Sequence, residues 1–251
     1  MNNLRQPVTT QHMLEHLDLS KVLILDIETV SQQPVFDDLD DRWKHLWTKK
    51  AAVISKGEQQ PGDIYNRAAI YAEFGKIICI SAGIFSRNGR GWQFRVKSFY
   101  GDDEKLLLQE FTQMLERHFD EPDNLLCAHN GKEFDYPYIS RRCLITGVDI
   151  PRILNIAGKK PWEVTLLDTM ELWKFGDYKS FTSLELLAAA FDIPTPKDDI
   201  DGSMVGDVYW REQDLERIRH YCQKDVVTVA QLMLRFRKEP LLDNTDIFIS
   251  A

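Results

Sequence analysis

The sequence predicts a mixed α/β fold, a β-sheet flanked by α-helices. Three observations carry that expectation. First, Val22-Leu23-Ile24-Leu25 is a short apolar run that leads directly into Asp26 and Glu28, too short for a buried helix and well suited to a buried strand. Second, Asn88-Gly89 is a hairpin turn signal between two strand-like segments. Third, amphipathic helical patterns then alternate with short apolar runs as far as a long final helix.

Taken in order, residues 9–17 fit a short helix with Met13, Leu14 and Leu17 turned inward, and residues 22–27 form the first strand. Residues 32–75 read as an insertion within a single domain spanning 1–251. In it Val35, Leu39, Trp43, Leu46 and Trp47 recur at helical spacing, 57–62 is a loop and 65–74 a further short helix. Residues 77–85 and 93–100 are the hairpin strands. Asp102 is placed to cap a helix over 104–119, whose Leu107, Leu108, Phe111, Leu115 and Phe119 make one stripe. The strand 124–128 ends at His129-Asn130-Gly131. A helix over 134–145 follows, with Pro137 tolerated in its first turn and Gly147 at its C-cap. Residues 165–167 read as the last strand, with Asp168 capping a helix through Trp173. Residues 183–191 are helical, and 193–206 a polar loop in which Asp198, Asp199 and Asp201 are solvated. The final helix spans 212–237, with Leu215, Ile218, Cys222, Val226, Val229, Leu232, Met233 and Phe236 on one face.

Composition narrows the function classes. Hydrophobic content of 43% and charged content of 28% are those of an ordinary globular protein. A net charge of −8 argues against a broad basic surface that coats nucleic acid, but not against an enzyme that grips a chain end. Cys79, Cys127, Cys143 and Cys222 are scattered without a C-x-x-C, as reduced, buried thiols of a cytoplasmic protein are. The polar first 20 residues do not resemble a signal peptide, and no apolar run approaches the ~18–20 residues a membrane span needs.

Chemistry concentrates at three places. On a strand, side chains at i and i+2 share a face, so Asp26 and Glu28 would stand side by side, and two such carboxylates repel unless a cation compensates them. The second place is Asn130-Gly-Lys132-Glu-Phe134-Asp135, just past a strand end, where open α/β sheets hold ligands. The third is Tyr221-Cys-Gln-Lys-Asp225 on the last helix, where residues four apart share a face. His220 lies five before Asp225. On an ideal helix Tyr221 is ~40° around the axis from Asp225 and His220 ~140°, which favours Tyr221 as the partner.

The order D-x-E-T, N-x-x-x-F-D, Y-x-x-x-D resembles the three exonuclease motifs of the DEDD superfamily of 3′–5′ exonucleases, in its DEDDy type. The middle and last motifs are most similar to the proofreading domain of B-family DNA polymerases. The resemblance spans about 22–237 and leaves no room for a polymerase domain, as in the stand-alone predicted exonucleases related to that domain. It implies a ribonuclease H-like mixed sheet flanked by helices. It also implies hydrolysis of phosphodiester bonds at the 3′ end of single-stranded DNA, in DNA repair or end processing, with two Mg²⁺ or Mn²⁺ ions. Asp26 would bridge both ions, Glu28 and Asp225 would complete the site of the attacking water, and Asp135 would hold the second ion. Tyr221 would orient the water, since a free phenol near pKa 10 is a poor base. Thr29, Asn130 and Phe134 match positions that contact the terminal nucleotides, and Lys132, Lys224, Arg141 and Arg142 are candidate phosphate contacts. His129 reads as a strand-end histidine held by hydrogen bonds, and Asp168 as a structural helix start. Two alternatives stand beside this reading: the same chemistry on RNA ends, and a non-catalytic nucleic-acid-binding module on the same fold. DNA is favoured over RNA on resemblance alone, and no protein partner is implied.

Overall fold

The computed structural model describes residues 14–89, 91–164, 166–177, 181–195 and 200–250. The expected helix before Leu14, the tip residue Arg90, Thr165, Asp198 and Asp199 lie outside the described residues.

A six-stranded mixed sheet forms the centre, with order β5-β4-β1-β2-β3-β6. β1 (Val22–Ser31) runs antiparallel to β2 (Gly75–Asn88), which pairs antiparallel with β3 (Gly91–Tyr100) through the expected hairpin. On the other side of β1, β4 (Leu125–Ala128) and then β5 (Leu167–Asp168) add in parallel. This is the ribonuclease H-like sheet flanked by helices that the motifs imply. The far edge carries β6 (Ile247–Ile249), parallel to β3, so the strand ending at Asp168 is not the last one. Three partly exposed residues are too few to show a strand period.

Among the described residues, the α-helices of six residues or more are α1 (Asp41–Ile54), α2 (Glu104–His118), α3 (Asp135–Thr146), α4 (Thr169–Lys174), α5 (Leu184–Ala190) and α6 (Leu215–Phe236). Alternation along β1 sorts its side chains between two cores. Leu23, Leu25 and Ile27 pack with Leu108 and Phe111 of α2 and Ile139 of α3. Val22 and Ile24 pack with Val226, Val229, Ala230 and Met233 of α6 on the other face. Each fully buried side chain of this kind contributes about 1.5–3 kcal/mol, so the two faces fix the register of β1 and with it the facing of Asp26 and Glu28.

The cap of α2 is Asp103, whose carboxylate accepts from Leu106 N–H at 3.0 Å. Asp102, the expected cap, instead accepts the Tyr209 hydroxyl at 2.7 Å. Asp103 stands three residues before the amide it caps, and Asp102 one too many. Gly147 closes α3 in the left-handed conformation, φ 70°, as expected. In residues 32–75 only Trp43, Leu46 and Trp47 of the helical set lie on α1; Val35 and Leu39 flank a short 3₁₀ turn, Phe36–Asp38. Residues Tyr65–Ile70 are 3₁₀ rather than α-helical, and with Leu39, Trp47 and Ala51 they form a small aromatic core. Among the described residues no helix is long and apolar enough to cross a membrane.

Candidate active site

β4 pairs with β1 only as far as Ile24–Cys127, whereas β1 continues to Ser31. The sheet therefore has a notch beside Asp26, Ile27 and Glu28. Asp26 and Glu28 continue the Val22–Ile24 row toward α6, as the two-residue period requires. A register shift between Glu28 and Thr29 marks a bulge in the pairing with β2, which resumes at Thr29–Ile77 and runs on to Ser31–Gly75. α6 approaches from above: the Cys222 thiol donates to the Asp26 carbonyl at 3.4 Å. Tyr221 is partly buried against Val30, and its hydroxyl hydrogen-bonds the Asp225 carboxylate. His220 is exposed. α3 packs on the opposite face, yet its first residue, Asp135, reaches the notch and accepts a hydrogen bond from Ile27 N–H.

One strand and two helices thus bring Asp26, Glu28, Asp135, Tyr221 and Asp225 together, and their electrostatics agree. Burial, then the charges of Asp225 and Asp135, hold the Asp26 carboxyl well above the usual range. Burial, then Asp26, does the same for Glu28. Burial raises Asp135 to about 7. The Tyr221 phenol is also pushed up, by burial and by Asp225, Glu28 and Asp26. Asp26 Oδ2 is buried with no hydrogen-bond partner. Ligand atoms of Asp26, Glu28 and Cys222 lie within 4.8 Å of one another. Carboxylates buried against one another, with one oxygen unmatched, fit a hard divalent cation.

The second motif is a tight turn built around Asp168. Its carboxylate accepts Asn130 N–H (3.0 Å) and Lys132 N–H (3.1 Å) while capping α4 through Met170 N–H (2.9 Å). Asn130 takes a positive φ of 63°, a conformation asparagine tolerates, and its Oδ1 is buried without a partner. Gly131 leaves no room for a side chain: a Cβ there would lie 2.5 Å from that of Ala128. His129 is held as expected, Nδ1 to the Thr169 hydroxyl and Nε2 to the Thr182 carbonyl, both 2.9 Å, and burial lowers its pKa. Phe134 packs on Tyr138, with ring centroids 5.3 Å apart, and is partly exposed. Lys132 pairs with Glu171. The Thr29 hydroxyl donates to the Ala69 carbonyl at 2.9 Å, and the Tyr138 hydroxyl donates to the same oxygen at 2.7 Å.

Some connections around the site carry no local sequence signal. Arg142 is not a phosphate contact: it is buried, donating to Glu104 Oε1 at 2.8 Å and to the Ala72 carbonyl at 2.8 Å. No local pattern distinguishes it from the exposed Arg141 beside it, because its partners are remote in sequence. Ala69 and Tyr138, which lash the 65–70 turn to Thr29, carry no motif at all. Cys222 was visible only as a member of the apolar stripe.

Fold and cluster together define the class, an α/β nuclease-type fold with an acidic centre on its central strand, beside the notch where β4 stops. The chain belongs to the family described as predicted 3′–5′ exonucleases related to the exonuclease domain of PolB, whose profile matches residues 70–244. That span contains Asn130, Asp135, Tyr221 and Asp225; Asp26 and Glu28 precede it and join them through the position of β1 in the sheet. Among solved structures, the family B DNA polymerase from the hyperthermophilic archaeon Pyrobaculum calidifontis is similar over 85% of this chain and 24% of its own, with 16% identity and a TM-score of 0.48. The chain thus spans about a quarter of that polymerase. No curated protein matches the sequence.

Proposed function

We propose that this protein is a metal-dependent 3′–5′ exonuclease of the DEDDy type that removes nucleotides from the 3′ end of single-stranded DNA. The observation that carries the reading is the gathering of half-buried Asp26 with buried Glu28 and Asp135, with Asp26 Oδ2 buried and unmatched and each pKa raised. Such a cluster is costly by itself and is relieved by divalent cations. Asp26, Glu28, Asp135 and Asp225 would hold two Mg²⁺ or Mn²⁺ ions. When bound, such a pair activates water, offsets charge on the phosphorus oxygens and assists the leaving 3′ oxygen.

The chain's own groups do the rest. Tyr221, its pKa raised, keeps its proton and donates to Asp225, so it positions the attacking water and does not deprotonate it. Phe134 offers the exposed part of its ring for stacking on a terminal base. Asn130 Oδ1 accepts a donor from the nucleotide, and Lys132, tethered by Glu171, faces phosphate. Thr29 contributes through its main chain, with its hydroxyl proton already committed to Ala69. Residues 32–75 act as an insertion that walls the site, held by that same bond. The four free, buried cysteines support a cytoplasmic setting, and a role in DNA repair or end processing follows from the activity.

The test is digestion of 5′-labelled oligonucleotides. Single-stranded DNA should shorten from its 3′ end with Mg²⁺ or Mn²⁺ and remain intact with EDTA, and Asp26→Ala should be inactive. Activity that persists in Asp26→Ala refutes the site, and faster digestion of a matched RNA refutes the DNA preference.

A further inference from the structure

The Mg²⁺ reading leaves one side chain of the centre without a chemical role. Cys222 follows Tyr221 on α6 and turns to β1, its Sγ 3.4 Å from the Asp26 carbonyl oxygen. Its sulfur and the carboxylate oxygens of Asp26 and Glu28 lie within 4.8 Å of one another. Cys79, the cross-strand neighbour of Glu28, hydrogen-bonds Cys222 and so brings a second sulfur to the same corner. Asp26 Oδ2, buried and unpartnered, supplies an acceptor with nothing yet to bind.

Hard Mg²⁺ takes six oxygens and gains nothing from a thiol. Zn²⁺ and Cd²⁺ differ: they accept four ligands of mixed sulfur and oxygen, and three protein ligands with a water is a common set. Sulfur shifts selectivity toward the softer ion. We propose that Cys222 Sγ, with the carboxylates of Asp26 and Glu28, forms a mixed sulfur–oxygen site for a thiophilic divalent cation. An ion bound there exchanges for the thiol proton and for any proton Asp26 and Glu28 carry, all of which pass to solvent. It also takes Asp26 and Glu28 away from the hard cations, so such ions inhibit the enzyme. The inhibition rests on the exonuclease reading, whereas the binding does not.

The experiment is a Cd²⁺ titration of the full-length, metal-free protein, followed by the ultraviolet thiolate-to-cadmium charge-transfer band. A saturable band is expected in the native protein and in Cys143→Ser, whose thiol lies in the opposite core. It should be lost in Cys222→Ser. Absence of the band in the native protein, or its survival in Cys222→Ser, overturns the proposal. Should Cys222→Ser fail to fold by circular dichroism, Glu28→Gln keeps the sulfur and removes an oxygen ligand. Its band should then saturate only at higher Cd²⁺, and an unchanged titration overturns the mixed site. Zn²⁺ added to the Mg²⁺ digestion assay completes the test. A native protein that binds Cd²⁺ but never cleaves with Mg²⁺ refutes the exonuclease reading and leaves the sulfur–oxygen site standing.

Discussion

Replacing Asp135 by asparagine should make the cation-free protein more stable at neutral pH. Burial raises this carboxyl from 3.8 to about 7. Between those values the folded state keeps a proton that the unfolded chain releases, so stability falls as pH climbs through that window and levels off above it. At 1.36 kcal/mol per pH unit the gap amounts to roughly 4 kcal/mol. Asparagine carries no such penalty, and its amide oxygen can still accept from Ile27 N–H. His129 opposes the trend: buried and with a lowered pKa, it makes stability rise with pH below about 6.5. That contribution is common to both proteins, so the difference between native and Asp135→Asn removes it and reports the Asp135 carboxyl together with the lift its charge gives Asp26 and Glu28. Urea denaturation in chelator should show that difference growing from about 2 kcal/mol near pH 5 to about 4 near pH 8. Saturating Mg²⁺ should then shrink it, because the ion stabilises only the protein that binds it. A difference that stays flat with pH, or has the native protein the more stable at pH 8 in chelator, refutes the argument that this group sits uncompensated.

Arg142→Met should destabilise the fold by about 3–5 kcal/mol in urea denaturation, since it strands Glu104 in the core with Ile77 N–H, at 2.7 Å, as its remaining described partner. Restoring neutrality with Glu104→Gln in the same chain should recover part of that loss. Tyr221→Phe should slow cleavage in single-turnover assays more than His220→Ala, because the phenol is turned to Asp225 and His220 is exposed; the reverse ranking overturns the assignment.

Strong periods and local turn chemistry were legible in the sequence. The alternation in β1 placed Asp26 and Glu28 on one face, and the stripe of α6 placed Tyr221 at its rim. Asn88-Gly89 locates the hairpin, and Asp168 marks a helix start, as its carboxylate at the N-cap of α4 bears out. Contacts between remote segments were not legible. β1 runs on past its carboxylates because β2 continues to pair with it, which no pattern in 28–31 announces. Arg142 looks like a surface arginine until Glu104 and Ala72 are placed against it. Thr29 has the residue type of a substrate contact, but its hydroxyl proton serves Ala69, forty residues on. Residues 32–75 defeated a helical reading at Val35 and Leu39 because their aromatic core is held by 3₁₀ turns, which share no period with an α-helix.

The notch beside β1 has one more consequence. Ile27 N–H, which in a wider sheet would bond a neighbouring strand, finds a carboxylate instead. A main-chain amide bonded to a titrating group feels its charge directly, so the Ile27 proton resonance should track the ionisation of Asp135. Its solvent exchange rate should follow the same event. The backbone of the central strand therefore carries a reporter at the acidic centre, readable in the unmodified protein without substrate or label on any catalytic side chain.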